Sequence, residues 1–267
     1  MTDIAVSDFV FLKPVFYWIG LIVLFVLELW FSYRKNSVSK LRRWITNLPL
    51  SIINGAIYYL VYFSALAGIM AQGKILKIGL LHSLSLPEWL KIALGIVILD
   101  CALYVWHMLN HRVSLFWRFH RVHHSDMNLD VSTAGRFHLG EFLMSGLVRM
   151  LVVYAAGISF TTYLLFEILV NASIQFHHSS VRIHSLFEKF WVLLFIPPSM
   201  HRVHHSVKIK ERDSNYGVLF SFWDRFFGTF TWGIDQTKIV IGIGSHRTFE
   251  KLGFWRMWLM PFTGKSK

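Results

Sequence analysis

Eight histidines fall at spacings that bring imidazoles together. His107 and His111 form H-x-x-x-H, and His120, His123 and His124 form H-x-x-H-H. His201, His204 and His205 repeat the second pattern within the same pentapeptide, HRVHH. On a helix, positions i, i+3 and i+4 share a face, so each set projects two or three rings together. Neutral imidazole is a ligand for iron, zinc or copper. One isolated histidine is usually a solvated or core residue. Eight in three face-sharing sets, two of them the same pentapeptide, point to metal. A closed zinc site takes about four ligands, so eight rings imply two ions.

The elements that must position these rings are membrane helices. The chain has 267 residues, of which 54% are hydrophobic, against about 45–50% in soluble domains even when glycine is counted. Stretches at 15–31, 48–71 and 89–109 are long and apolar enough to cross hydrocarbon, which takes about 20 residues. A pair at 142–158 and 160–176 follows, joined by a tight turn at Gly157–Ser159, while 190–196 is too short to span. The expected fold is an all-α polytopic bundle of about four spans under a histidine-rich cap. Residues 1–267 read as a single domain: anchor spans over 15–109, a catalytic region over 100–230 and a tail over 231–267.

Charge orients the bundle. The net charge of +12 is scattered between apolar segments and forms no basic stripe, which excludes nucleic acid as the partner. Residues 34–43 carry Arg34, Lys35, Lys40, Arg42 and Arg43 without an acidic residue, so this loop is expected in the cytoplasm. The N-terminus is then outside, and the pair at 142–176 returns to its starting side, putting every histidine cluster on the cytoplasmic face. The first span follows Asp3 and Asp8 and lacks a small-residue cleavage site, which reads as a retained helix and no signal peptide. Cys101 has no disulfide partner.

Other residues join the list more weakly. His138 lies just before the paired spans, and His177 and His178 emerge at their end; neighbouring helical residues do not point at one ion. Asp100 shares a helical face with His107 and His111, and an acid in a span is a functional candidate. It is expected either to accept a hydrogen bond from a ligand imidazole and fix its tautomer, or to pair locally with a polar group in the bundle. Arg149 and Glu167 fall at comparable depth and are expected to pair. His82, His184 and His246 have no partner at ligand spacing.

In order, the chain carries H107-x3-H111, H120-x2-HH124, R136-F-H138-x-x-E141, H178-S, H201-x2-HH205, N215-Y-G217 and F222-W-D-R-F-F-G-T229. This series resembles the fatty acid hydroxylase and sterol desaturase family over about half the chain, departing at Leu139 and Ser180, neither a candidate ligand. The resemblance implies a helical membrane domain with two iron ions, O2 as co-substrate, a lipid substrate and electrons from a separate ferredoxin- or cytochrome b5-like protein. It prefers His178 to His177 as a ligand, and makes Asn215, Tyr216, Trp223 and Asp224 structural. Chemistry leads the same way: an unactivated lipid C–H bond needs a redox metal with O2. No H-E-x-x-H, G-x-S-x-G, G-x-G-x-x-G or Walker motif is present. The rivals are a zinc-dependent membrane hydrolase and a metal transporter, whose sites lie nearer the bilayer midplane.

Overall fold

The computed structural model describes residues 6–263, with side chains from residue 11; Asp3 and the side chain of Asp8 lie outside the described part. The bundle opens with α1 (Val6–Trp30), α2 (Lys40–Ile57), α3 (Ser64–Leu76), which continues α2 through a π-helical turn at Tyr58–Phe63, then, past the short α4 (Leu80–Ser83), α5 (Glu88–Arg112). Next come α6 (Ser114–His124), α7 (Leu139–Ala156), α8 (Phe160–His178), α9 (Ser185–Trp191), α10 (Pro198–His204), α11 (Ile209–Arg212), α12 (Phe222–Phe226) and α13 (Phe254–Leu259). Four stretches, Phe11–Trp30, Lys40–Ser83, Glu88–Arg112 and Leu139–Ala156, are long and apolar enough to cross a membrane. The chain is therefore nearly all helical, with no strands among the described residues beyond three isolated bridges.

Two helices differ from expectation for physical reasons. The second span begins not at residue 48 but at Lys40, and its first two turns stand in the cap. Arg43 sits there fully buried, its guanidinium on the carboxylates of Asp126 (2.7 and 2.8 Å) and Asp130 (2.5 Å). One of the five charges that orient the 34–43 loop is thus neutralised internally. Lys40 likewise pairs with the buried Glu28 at 2.5 Å. The other difference is α8, which is not among the membrane-length apolar helices. It carries Thr162, Glu167, Asn171 and Gln175 and buries Tyr163, Phe166 and Val170 in the main core, so protein surrounds it on most sides.

The α7–α8 turn closes at Gly157, whose φ is +68°. The facing Gly79 (φ +105°) approaches so closely that a Cβ there would lie 2.3 Å from the Gly157 nitrogen. Only glycine permits this contact. As a result α7 starts and α8 ends at the histidine cap, where α1 and α5 also end and α2 begins. Residues 231–263 are no loose tail. Ile239 and Ile241 pack on Leu129 and Val203, while Met257 and Met260 pack on Leu50 and Val122.

Candidate metal centre

The cap gathers nine imidazoles into two groups. His107, His111, His120, His124 and His204 form one, and His123, His178, His201 and His205 the other; within each, ligand atoms lie within 4.8 Å of one another. The two HRVHH pentapeptides are used reciprocally. From α6, His120 and His124 enter the five-ring group and His123 the four-ring group. From α10 and the residue after it, His204 enters the five-ring group, and His201 and His205 the other. Neither pentapeptide serves one site, as shared-face spacing alone suggested. Each straddles both. The groups abut, with the rings of His124 and His205 stacked at 4.3 Å.

Residues outside the groups fix which ring nitrogen faces inward. Carbonyl oxygens only accept, so Nδ1 of His107 donates to Tyr216 (2.9 Å), that of His204 to Ser214 (2.7 Å) and that of His178 to Ile174 (2.7 Å). Nδ1 of His120 lies 2.7 Å from the Glu141 carboxylate, and that of His111 lies 3.3 Å from Asp213. Each of these rings turns Nε2 to the interior. Sequence reasoning gave Glu141 no role, although it closes the R136-F-H138-x-x-E141 motif, which was the available signal.

The donors fit metal. Nε2 of His107, His111 and His204 are buried with no hydrogen-bond partner. Nε2 of His178 stands 3.1 Å from that of His123 and 2.9 Å from that of His201, and Nε2 of His205 3.1 Å from that of His201. In the other group the Nε2 atoms of His120 and His124 are 3.1 Å apart. Nitrogens this close share either a proton or a cation, and ligands at about 2.1 Å from one ion at right angles would stand about 3 Å apart. Burial, then the neighbouring imidazoles, holds His123, His124, His201 and His205 well below the ordinary histidine value. They are neutral at pH 7, the form that binds metal. An all-imidazole set suits iron, zinc or copper.

Two expected site residues lie elsewhere. His138 caps α7: its Nδ1 accepts from the Gly140 amide (2.9 Å) and its Nε2 lies 3.1 Å from the Trp258 carbonyl. With both nitrogens engaged, it belongs to neither group. Asp100 touches no imidazole; it accepts from the amides of Leu219 (3.0 Å) and Phe220 (3.1 Å) and the Trp223 indole (2.9 Å). It thereby ties the 213–224 loop to α5. Asp224 holds the same loop by accepting from the Tyr216 and Gly217 amides at 2.7 and 2.8 Å. Asn215 turns it through left-handed φ +57°, a conformation Asn tolerates. The loop is a clamp that presents two carbonyls to His107 and His204. His177 is buried against His201 but outside both groups, and His82, His184 and His246 lie apart from them.

Both groups open into a cavity of about 420 Å3 between α1, α2, α5, α7 and α8. His107, His120, His123 and His201 line one end, and Lys13, Arg149 and Glu167 the other. The walls are mostly apolar, including Leu103, Trp106, Phe142, Val170 and Ile174. The lining includes Trp18, Ile52 and Ala56, which are exposed on the outer surface of α1 and α2. Tyr17 and Ser51 bridge those two helices at 2.6 Å.

A helical membrane bundle with paired imidazole groups at one end defines a histidine-cluster membrane protein whose cap could hold metal. The fatty acid hydroxylase family model matches residues 92–229, and the chain belongs to that family. It is 32% identical to the ornithine lipid hydroxylase OlsE of Rhizobium tropici over 181 residues, 68% of this chain and 53% of that protein. It is 29% identical to the alkylglycerol monooxygenase of Homo sapiens over 178 residues (61% and 35%) and 28% identical to the human cholesterol 25-hydroxylase over 145 residues (50% and 48%). The chain thus spans about half or less of the length of these relatives. No solved structure matches.

Proposed function

We propose that this protein hydroxylates a membrane lipid with O2 at two iron ions held by the five- and four-histidine groups. The observation that carries the reading is the opening of both groups into an apolar cavity between membrane helices. The relatives' names, each a hydroxylase or monooxygenase, favour hydroxylation over desaturation. The iron pair supplies the redox chemistry with O2 that an unactivated C–H bond requires. The protein's own part is positioning: apolar walls exclude water and hold one carbon of a chain beside the rings, which selects the bond that reacts. Glu141, Asp213 and the carbonyls of Ser214 and Tyr216 hold four rings in the tautomer that ligates. The lipid enters sideways from the bilayer, past Trp18, Ile52 and Ala56.

The histidine cap faces the cytoplasm in this reading, supported by Arg34, Lys35 and Arg42, which remain on the 34–43 loop after Lys40 and Arg43 are paired internally. Electrons come from a separate acidic carrier, ferredoxin- or cytochrome b5-like, which complements the chain's net charge of +12. The test is turnover of the iron-loaded protein in lipid nanodiscs with reductant and labelled O2. Label in a new lipid hydroxyl, abolished when zinc replaces iron, supports the proposal. Full activity of a zinc form without O2 refutes it in favour of a hydrolase.

A further inference from the structure

The charged cluster at the far end of the cavity is more than an ion pair. Glu167 on α8 has both oxygens engaged, Oε1 by Arg149 of α7 at 2.9 Å and Oε2 by Lys13 of α1 at 2.5 Å. The three residues line the cavity with Tyr58 and Tyr59. The Nε of Arg149 is buried with no acceptor, and so is the hydroxyl of Tyr59. An arginine Nε–H only donates. A fastening between helices needs no spare donors, and a donor buried without an acceptor is costly. Charged groups inside a membrane bundle and facing a cavity are functional-site candidates by default.

We infer that Arg149 and Tyr59 form a receptor for an acceptor oxygen on the lipid, a carboxylate or an ester or amide carbonyl. Glu167 and Lys13 hold the guanidinium in place, and the apolar wall between this end and the histidines receives the intervening methylenes. Glu167 and His178 are eleven residues apart on α8, a rise of about 16 Å, or about a dozen bonds of an extended chain. The receptor then works as a ruler: the oxygen docks at one end, and the carbon about a dozen bonds away meets the metals. This rests on the lipid-chamber reading above, but its test needs no turnover.

The experiment measures binding of hexadecanoate, methyl hexadecanoate and hexadecane to the iron-loaded protein in detergent by calorimetric titration. The expected result is that one or both oxygenated chains bind at least about tenfold tighter than the alkane, about 1.4 kcal/mol. Preference for the acid alone assigns a carboxylate; preference for both assigns a carbonyl. Arg149→Gln should bring the three ligands within about twofold of one another while leaving hexadecane affinity unchanged. Tyr59→Phe, which does not touch the ion pair, should reduce the preference without altering metal content, and it carries the test with Arg149→Lys if Arg149→Gln does not fold. Equal binding of all three ligands by the unaltered protein overturns the inference, as does an unchanged preference in the variants. A protein that binds as expected but oxidises nothing overturns only the proposed reaction.

Discussion

Replacing Glu141 should weaken one metal group and spare the other. Its Oε1 takes the Nδ1 proton of His120 at 2.7 Å and lies 3.3 Å from the Asn110 amide. The His120 and Glu141 side chains are 2% and 4% exposed, so solvent cannot substitute for the lost bond. Partners of this kind typically contribute about 10- to 100-fold to metal affinity, or about 1.4–2.8 kcal/mol. Glu141→Gln keeps an oxygen acceptor and loses only the charge, so it should fall near tenfold; Glu141→Ala strands the His120 proton and should approach a hundredfold. Chelator titration followed by metal analysis reads this directly, because Glu141 makes its hydrogen bonds to His120 and Asn110 and none to the four-histidine group, which serves as an internal control. Two release phases are expected, of which only one moves, and it moves further for Ala than for Gln. Equal shifts of both phases, or no difference between the two variants, would refute the reasoning.

Four further outcomes follow from the geometry. His138→Ala should leave metal content unchanged and cost about 1 kcal/mol as a lost helix cap, measured by thermal unfolding. Asp126→Ala breaks a fully buried ion pair with Arg43 and should destabilise by about 3–5 kcal/mol, seen in the same unfolding assay. Gly55→Trp fills space where an added Cβ meets nothing within 4 Å; it should lower kcat/KM for lipid severalfold without loss of metal if the chain enters there. In the metal-free protein, burial holds His123, His124, His201, His204 and His205 below their unfolded value near 6.5. The unfolded chain therefore binds more protons as pH drops through 6.5, and the melting temperature should fall between about pH 7 and pH 5.

The histidines and the helical bundle were legible because they rest on local rules: ring spacing along a helix and runs of apolar residues. Eight of the nine grouped imidazoles follow from i, i+3 and i+4 spacing. His178, on α8, needed the family pattern to separate it from His177. What stayed hidden depends on contacts between distant segments. The division of each HRVHH between two groups depends on how α6 and α10 face each other. His138 read as a ligand because nothing local says that Trp258, 120 residues on, covers its second nitrogen. Asp100 was placed on the correct helical face, but that face meets the 213–224 loop before it meets a ring. Arg43 counted as a topology signal because its acidic partners come 83 and 87 residues later.

The reciprocal sharing of the two pentapeptides has a consequence for biogenesis. A nascent chain complete through α8 already owns four of the five rings of one group, His107, His111, His120 and His124, but only His123 and His178 of the other. On the two-ion reading proposed above, the first group can take its ion while synthesis continues. The second must wait for α10, which brings His201 and His205 to their own group and His204 to its neighbour in one docking event. If each group takes one ion as proposed, ligation and folding are coupled, and metal stoichiometry would report whether the distal half has closed over the cap.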